Sequence, residues 1–233
     1  GGVVTTLALR DQVVAHYGYH LRRMVDLARS NGAKILLATP ASQLRDCAPF
    51  KSEGVAESPQ ASLRELQLAV QRDPRQAANR YRLAEALLAS GRIAEARGHF
   101  EAARDEDIVP LRALTSMGEV VREVGHERAV PVLDVERLAD EWARERSGIP
   151  IPGSELFTDH VHFTLEGYRL LALAVLRELN ARRLLPVAVE PSAACVEQVT
   201  AAVEGRQDRR DQGLALRNLA KTLSWAGKSE EAS

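Results

Sequence analysis

The sequence predicts an α/β fold that is interrupted by a helical insertion. Two short apolar runs, AKILLATP and VPVLDV, each follow an amphipathic helix pattern, which is the order of helix and buried strand in a parallel α/β sandwich. Between them lies a segment of different periodicity, in which similar residues recur 34 positions apart. The simplest architecture is therefore two helix–strand units, with helices inserted after the loop of the first strand.

The composition is that of a folded chain with one large or two modest domains. Hydrophobic residues make up 45% of the 233 positions, and 31 basic residues against 32 acidic ones give a formal net charge of -1. This balance indicates no basic face for nucleic acid, and no apolar run approaches the roughly 20 residues that cross a bilayer. We expect neither a nucleic-acid partner nor a membrane segment. The sequence leaves the compartment unknown but favours the cytoplasm for this segment.

The two cysteines predict neither a disulfide framework nor a metal site. Cys47 and Cys195 lie far apart, and neither has a His or Cys nearby at ligand spacing. We therefore expect ordinary thiols, no bound metal and no cofactor.

The first helix–strand unit leads into a charged loop. The segment LRDQVVAHYGYHLRRMVDLARSNG has apolar residues at helical intervals and stops at Asn31–Gly32, after which AKILLATP is predicted to form the strand. The next residues, ASQLRDCAPFKSEG, follow the carboxyl end of that strand, where open α/β sheets bind ligands. The charged residues of this loop are Arg45, Asp46, Lys51 and Glu53. The alternative is a solvated loop with one or two surface ion pairs.

The insertion fits the tetratricopeptide pattern, in which small residues let two antiparallel helices approach and large ones fill the seam. The matching positions are Leu83, Ala84, Leu87, Gly91, Ala96, Phe100 and Ala103. Leu66 and Ala69 stand 34 positions before Phe100 and Ala103. The chain departs from the pattern at Arg80 and at Ile108, where an aromatic residue and a proline are usual. A plain helical hairpin is the alternative. A β-branched residue at Gly91 is expected to strain this hairpin and leave the α/β core folded.

The same spacing returns at the end of the sequence, in LRNLAKTLSWAGKSEEA. A half-repeat cannot bury its apolar seam alone, so we expect further repeats to follow and interpret the chain as a piece of a longer protein. The expected domains are residues 1–58 and 108–186 for the two parts of the α/β domain, 59–107 for the inserted helices, and 187–233 for a linker helix and the start of C-terminal repeats.

An Asp-x-x-His motif precedes the last predicted helix of the α/β domain. In ELFTDHVHFTLEGYRLLA the helix pattern begins near Thr164, which leaves Asp159 and His162 in the preceding loop. A carboxylate there can accept from Nδ1–H of the imidazole, and Nε2 can then take a proton from a nucleophile. We predict about 2.6–3.2 Å between Nδ1 and a carboxylate oxygen. The alternative is an Asp159 that only favours the helix start. We interpret His160 as a bystander.

The segment DHVHFTLEGYRLLA resembles the last conserved block of the SGNH (GDSL-type) hydrolases. Together with TPASQLRDCAPFKSEG, ARDEDIVPLRA and the flanking repeats, it is similar to tetratricopeptide-containing SGNH/GDSL hydrolase-like proteins over most of Leu7 to Leu185. The resemblance implies an incomplete flavodoxin-like α/β/α domain with His162 as general base and Asp159 as its orienter. It implies an ester-bearing small molecule or carbohydrate as substrate.

The candidate substrate-binding residues are Arg45, Asp46 and Lys51 in the loop after the first strand, with Arg112 from DIVPLRA as a companion. We expect this loop to lie within reach of His162, because both would stand at the ligand-binding edge of the sheet.

The sequence departs from the family at the nucleophile. The family's serine lies in a Gly-Asp-Ser block, and its oxyanion-hole donors come from that block and a Gly-x-Asn block, neither of which is in this chain. Ser154 lies near the motif but has no such block around it, so it is not assigned as the nucleophile. The chain alone is therefore expected to be nearly inert as a hydrolase.

Two functions remain open. The first is part of an SGNH-type ester hydrolase or acyl transferase whose repeats recruit a protein partner or shape the substrate site. The second is a tetratricopeptide scaffold whose hydrolase-like domain is degenerate.

Overall fold

The computed structural model describes residues 7–187, 189–206, 217, 220 and 221. In the ranges before residue 207, the elements in chain order are α1 (Leu7–Ser30), β1 (Leu37–Ala38), α2 (Leu63–Arg72), α3 (Ala77–Ala89), α4 (Ile93–Asp105), α5 (Thr115–Glu127), β2 (Val132–Leu133), α6 (Val135–Ser147), α7 (Leu165–Ala181) and α8 (Ala193–Glu204). The chain divides into two compact units between Thr164 and Leu165.

The two predicted helix–strand units are present in the first compact unit. Helix α1 ends where Gly32 takes a positive φ of 71°, as the Asn31–Gly32 stop signal predicts. Strands β1 and β2 pair in parallel, with Leu37 opposite Val132 and Ala38 opposite Leu133. The described chain is thus mostly helical with a two-stranded parallel sheet, which agrees with the α/β class in its broad form.

The prediction of a buried first strand is wrong for the described residues. Leu37 is half-buried and Ala38 is exposed. Along α1, the side chains of Met24 and Leu27 are 65% and 64% exposed, whereas Val25 is 2% exposed. An apolar run signals burial only if layers cover both faces of the strand, and Leu37 is only partly buried, against the cluster of Val25, Val124 and Val130.

The inserted residues form three helices, of which α3 and α4 pack as a hairpin. Ser62 and Glu65 close a reciprocal capping box at the start of α2, and Gly91 turns the chain between α3 and α4 with φ 77°. The buried core of this region contains Leu44, Leu66, Val70, Tyr81, Leu83, Ala84, Leu87, Ala96, Phe100, Ala103 and Ile151. The predicted helical hairpin is therefore present, and its membership of the tetratricopeptide repeats stays a prediction.

The inserted helices share their core with the rest of the first unit. Leu44 of the loop after β1 and Ile151 of the loop after α6 are 4% and 0% exposed within that core. Arg97 on α4 also forms an ion pair of 2.8 Å with Asp140 on α6. The insertion thus lies in the same compact unit as the sheet and is not an arm that hangs on two loop ends.

The turn at Gly91 gives a prediction about stability. A Cβ at Gly91 would meet no atom within 4 Å, so Gly91→Ala should cost only the left-handed backbone conformation, about 1 kcal/mol of unfolding free energy. Gly98 lies within α4, where a Cβ also meets nothing within 4 Å, so Gly98→Ala should stabilise by roughly 0.5–1 kcal/mol. Chemical denaturation of both variants measures the two effects, and the same sign for both would contradict this account.

The second compact unit contains α7 and α8. Ser192 caps α8 by accepting from the amide of Cys195 at 3.2 Å, and Asn180 pairs with both backbone groups of Val189. The two helices line an open, mainly aliphatic groove of about 370 Å³. The predicted C-terminal repeat falls almost wholly outside the described residues. Within the described residues, none of the helices has both the length and the hydrophobicity that a membrane crossing requires.

Candidate active site

The Asp-x-x-His motif occupies a closed loop between two phenylalanines. Phe157 and Phe163 form an antiparallel bridge, and their rings stack at 4.7 Å between centroids and 24° between planes. Inside this bridge the amide of Thr158 donates to the carbonyl of His162 at 2.8 Å. Phe157 is 1% exposed, so its burial anchors one side of the loop. The segment FTDHVHF therefore folds into a fixed turn ahead of α7.

Asp159 orients His162 through both of its carboxylate oxygens. Oδ1 accepts from the amides of Val161 and His162, each at 2.8 Å. Oδ2 lies 2.7 Å from Nδ1 of His162, inside the range predicted from the sequence. The His162 side chain is 67% exposed, and within the described ranges no hydrogen bond is formed to its Nε2. The carboxylate is thus fixed by the backbone, and the ring presents its second nitrogen to solvent.

The environment of Asp159 favours its charged form. Partial burial opposes ionisation, but the amides of His162 and Val161 and the His162 ring donate to it, and together they hold the pKa of Asp159 below its usual value. Nδ1 of His160 lies 3.9 Å from Oδ1 of Asp159, beyond hydrogen-bonding distance, and its interpretation as a bystander stays a prediction. Burial lowers the pKa of His160, which favours the neutral ring. The two histidines therefore differ in exposure and in contact with the carboxylate.

The lowered pKa of Asp159 predicts an acid transition in the motif loop. A carboxylate whose pKa is lowered by folding contributes stability that is present above about pH 4 and is lost as the pH falls through the lowered value. We expect the amide signals of Val161 and His162 to shift together below about pH 4 in an NMR titration. Asp159→Asn keeps an amide acceptor that does not titrate, so its signals should stay constant. Signals that moved equally in both proteins would contradict the assignment.

The loop after β1 lies against the motif loop, as the sequence predicts for the ligand-binding edge of the sheet. The amide of Gln43 donates to the carbonyl of His160 at 3.1 Å. With its side-chain amide oriented so that both groups are paired, Gln43 donates to the carbonyl of Asp159 at 2.9 Å and accepts from the amide of Ser154 at 3.0 Å. The two loops are thus joined by direct hydrogen bonds.

Arg45 and Asp46 bond to the two residues Ser154 and Glu155, which lie shortly before the motif loop in sequence. The guanidinium of Arg45 donates to Glu155 at 2.6 Å, with side-chain exposures of 23% and 29%. Asp46 accepts from the amide and the hydroxyl of Ser154 at 2.8 and 3.0 Å. These two residues are therefore fixed to the segment that leads into the motif loop, and their contact with a substrate stays a prediction.

Arg112 and Lys51 are placed differently. Arg112 is 6% exposed and donates from Nη1 to the carbonyls of Gln43 and Cys47, both at 2.9 Å. Its buried position supports the loop from within. Lys51 is exposed, and its backbone amide bonds to Asp107 at 3.0 Å. Besides burial, the positive charge of Arg112 helps to lower the pKa of His160 in the motif loop, whereas the described hydrogen bonds of Lys51 do not reach that loop. The predicted roles of both residues in substrate binding remain predictions.

Three residues with contacts in this region were not identified from the sequence. Gln43 lies two positions before Arg45 and Glu155 directly follows Ser154, but a glutamine and a loop glutamate carry no motif. Tyr81, on α3, donates to the carbonyl of Arg45 at 2.5 Å. Its partner lies 36 residues away in sequence, so only the folded chain reveals the contact.

Among the described hydrogen bonds of Asp159 and His162, none involves a serine hydroxyl. The hydroxyl of Ser154 is bonded to Asp46, as described above, and no other function is evident for it. Within the described ranges, no three His, Cys, Asp or Glu side chains cluster as a metal would require. Comparison of the chain with protein-family models, with curated proteins and with solved structures gives no match in any of the three.

Proposed function

We propose that the Asp159–His162 pair is the base half of a serine-hydrolase triad, in part of an SGNH-type ester hydrolase that acts on an acyl or acetyl ester. The observation that carries the proposal is the 2.7 Å contact between His162 Nδ1 and Asp159 Oδ2, made by a ring that is 67% exposed. If Asp159 only capped a helix, its carboxylate would accept from amides of the first helical turn. That role would not explain why Asp159 also orients the exposed imidazole of His162.

The roles of the two residues follow from this geometry. The carboxylate accepts from Nδ1–H and thereby fixes the tautomer in which Nε2 is the free acceptor. Nε2 then takes the proton of a serine hydroxyl as that oxygen attacks the ester carbonyl. The same nitrogen returns the proton to the leaving alcohol. Water repeats the two steps on the acyl-enzyme, and an alcohol in place of water would give acyl transfer.

The same proposal includes a flavodoxin-like α/β/α fold for the α/β part of the chain. The parallel pair β1–β2 and the loop after β1 fit one end of a flavodoxin-like α/β/α domain, with the motif loop at the carboxyl edge of its strands. The nucleophilic serine and the oxyanion-hole donors would come from chain outside this sequence. The inserted helices are proposed to be a tetratricopeptide hairpin, available to a protein partner.

The test is ester hydrolysis by a longer protein that contains this chain together with the Gly-Asp-Ser and Gly-x-Asn blocks. A fluorophosphonate probe should label one serine, and p-nitrophenyl acetate should be hydrolysed, whereas the 233-residue chain should show neither. Absence of both reactions in the longer protein would overturn the proposal and favour the alternative, a tetratricopeptide scaffold with a degenerate hydrolase-like domain.

A further inference from the structure

We infer that Tyr81 and Gln43 are positioning residues for the Asp159–His162 pair, so that the inserted helices set the geometry of the candidate site. The functional meaning of this inference rests on the proposed function, but its geometric content can be tested without any enzymatic activity.

The connection begins at the buried ring of Tyr81. Tyr81 is 8% exposed, and its ring meets Phe100 edge-on at 5.3 Å and 68°. The ring is therefore fixed by the core of the insertion. Its hydroxyl donates to the carbonyl of Arg45 at 2.5 Å. Burial raises the pKa of Tyr81, so the hydroxyl stays protonated and remains a donor at neutral pH. The position of Arg45 is thus tied to α3.

The next connection runs within the loop after β1. Nη1 of Arg112 donates to the carbonyls of Gln43 and Cys47. These two residues lie before and after Arg45 in sequence, so one buried guanidinium fixes the backbone on both sides of Arg45. Leu44, 4% exposed, packs in the same core as Tyr81. Because the loop is fixed at these points, a shift in the position of Arg45 should also shift the backbone of Gln43.

The last connection is between Gln43 and the motif loop. Its amide and its side chain bond to the carbonyls of His160 and Asp159, two consecutive residues of the motif. Gln43 is 5% exposed, so water cannot replace these bonds readily. The ion pair of Arg45 with Glu155 also joins the two loops, but both side chains are partly exposed and solvent screens their attraction. The buried bonds of Gln43 are therefore the stronger link.

The first test is Tyr81→Phe, which removes the hydroxyl and keeps the ring. The amides of Val161 and His162 donate to Asp159, so their hydrogen exchange reports the geometry of the carboxylate. We expect both to exchange about fivefold faster than in the unaltered chain, the effect of one lost hydrogen bond. The ring nitrogens of His162 should shift in ¹⁵N spectra toward a mixture of tautomers.

Two further variants keep the outcome decisive. Tyr19→Phe makes the same chemical change at a side chain 56% exposed on α1, and it should alter neither readout. Gln43→Leu removes the side-chain bonds to Asp159 and Ser154 and replaces the glutamine by a side chain of similar volume. It should accelerate hydrogen exchange at the amides of Val161 and His162 at least as much as Tyr81→Phe does. If folded Tyr81→Phe and Gln43→Leu proteins both leave exchange and the ¹⁵N signals of His162 unchanged, the inference is wrong. A uniform acceleration over the whole first unit would also overturn it, because that result indicates general destabilisation.

The proposed function can fail separately from this inference. If the longer protein has no esterase activity but the two amides and the His162 ring respond as described, Tyr81 and Gln43 still position the pair. If the longer protein hydrolyses esters and the two readouts do not respond, the catalytic assignment stands and the positioning role is lost.

Discussion

Replacement of His162 by alanine is expected to lower kcat/KM for ester hydrolysis by the longer protein about 10²- to 10⁴-fold, the range for removal of a general base. The ring is 67% exposed, and its described hydrogen bond from the side chain is the one to Asp159. The free energy of unfolding should therefore change by less than about 0.5 kcal/mol, as at most surface positions. Steady-state kinetics and chemical denaturation of the same variant separate the two effects.

Asp159→Asn tests the orienting role at nearly constant shape. The asparagine oxygen can still accept from the amides of Val161 and His162, so the loop should keep its fold. The side-chain NH₂ would then face Nδ1 and favour the tautomer that carries its proton on Nε2. That ring cannot accept the serine proton, and we expect a loss of activity similar to or smaller than that of His162→Ala.

His160→Ala is the matched control for the motif. His160 is the neighbouring histidine, but its Nδ1 is 3.9 Å from Asp159 and its side chain is 26% exposed, against 67% for His162. Its removal should change kcat/KM by less than about threefold, within the range of ordinary substitutions near a site. If His160→Ala abolishes hydrolysis and His162→Ala does not, the roles of the two histidines have been assigned the wrong way round.

The contact between Asp159 and His162 could be predicted because it is local. The partners are three positions apart in sequence, so the backbone alone brings the carboxylate to the ring. The hairpin of α3 and α4 could be predicted for a similar reason, because the spacing of its apolar residues and Gly91 defines adjacent helices.

The supports of the site could not be predicted in the same way. Tyr81 and Arg45 are 36 residues apart, and Arg112 and Gln43 are 69 apart. No local pattern encodes these distances, and each partner on the loop side is a backbone carbonyl, which every residue possesses. The prediction that β1 is buried was wrong for a related reason. An apolar run shows that a strand is able to be buried, but whether it is buried depends on the helices that pack on the sheet.

The shared core of the insertion gives the second large prediction. Phe100 is 1% exposed and packs in the cluster that also contains Leu44 and Ile151. Phe100→Ala should lower the free energy of unfolding by about 3–5 kcal/mol, the usual cost of emptying such a site. For a chain of this size the midpoint of thermal unfolding should fall by about 6–20 °C.

The decisive observation is which part of the chain responds to Phe100→Ala. Leu44 lies in the loop after β1, which bonds to the motif loop through Gln43, and Ile151 lies in the loop that leads into the motif loop. Weaker packing in the insertion should therefore also weaken the structure around Asp159 and His162. We expect the melt of the first unit to remain a single transition, with faster exchange at the amides of Val161 and His162.

Val124→Ala provides a comparison in the other buried cluster of the first unit, where Val124 is 0% exposed beside Val25 and Val130. This smaller truncation should cost less and should affect the inserted helices only through global unfolding. If the Phe100→Ala protein instead loses α2–α4 in an early, separate transition while the motif amides stay protected, the insertion is an independent module. The site would then be held without it, and Tyr81 would have no means of controlling His162.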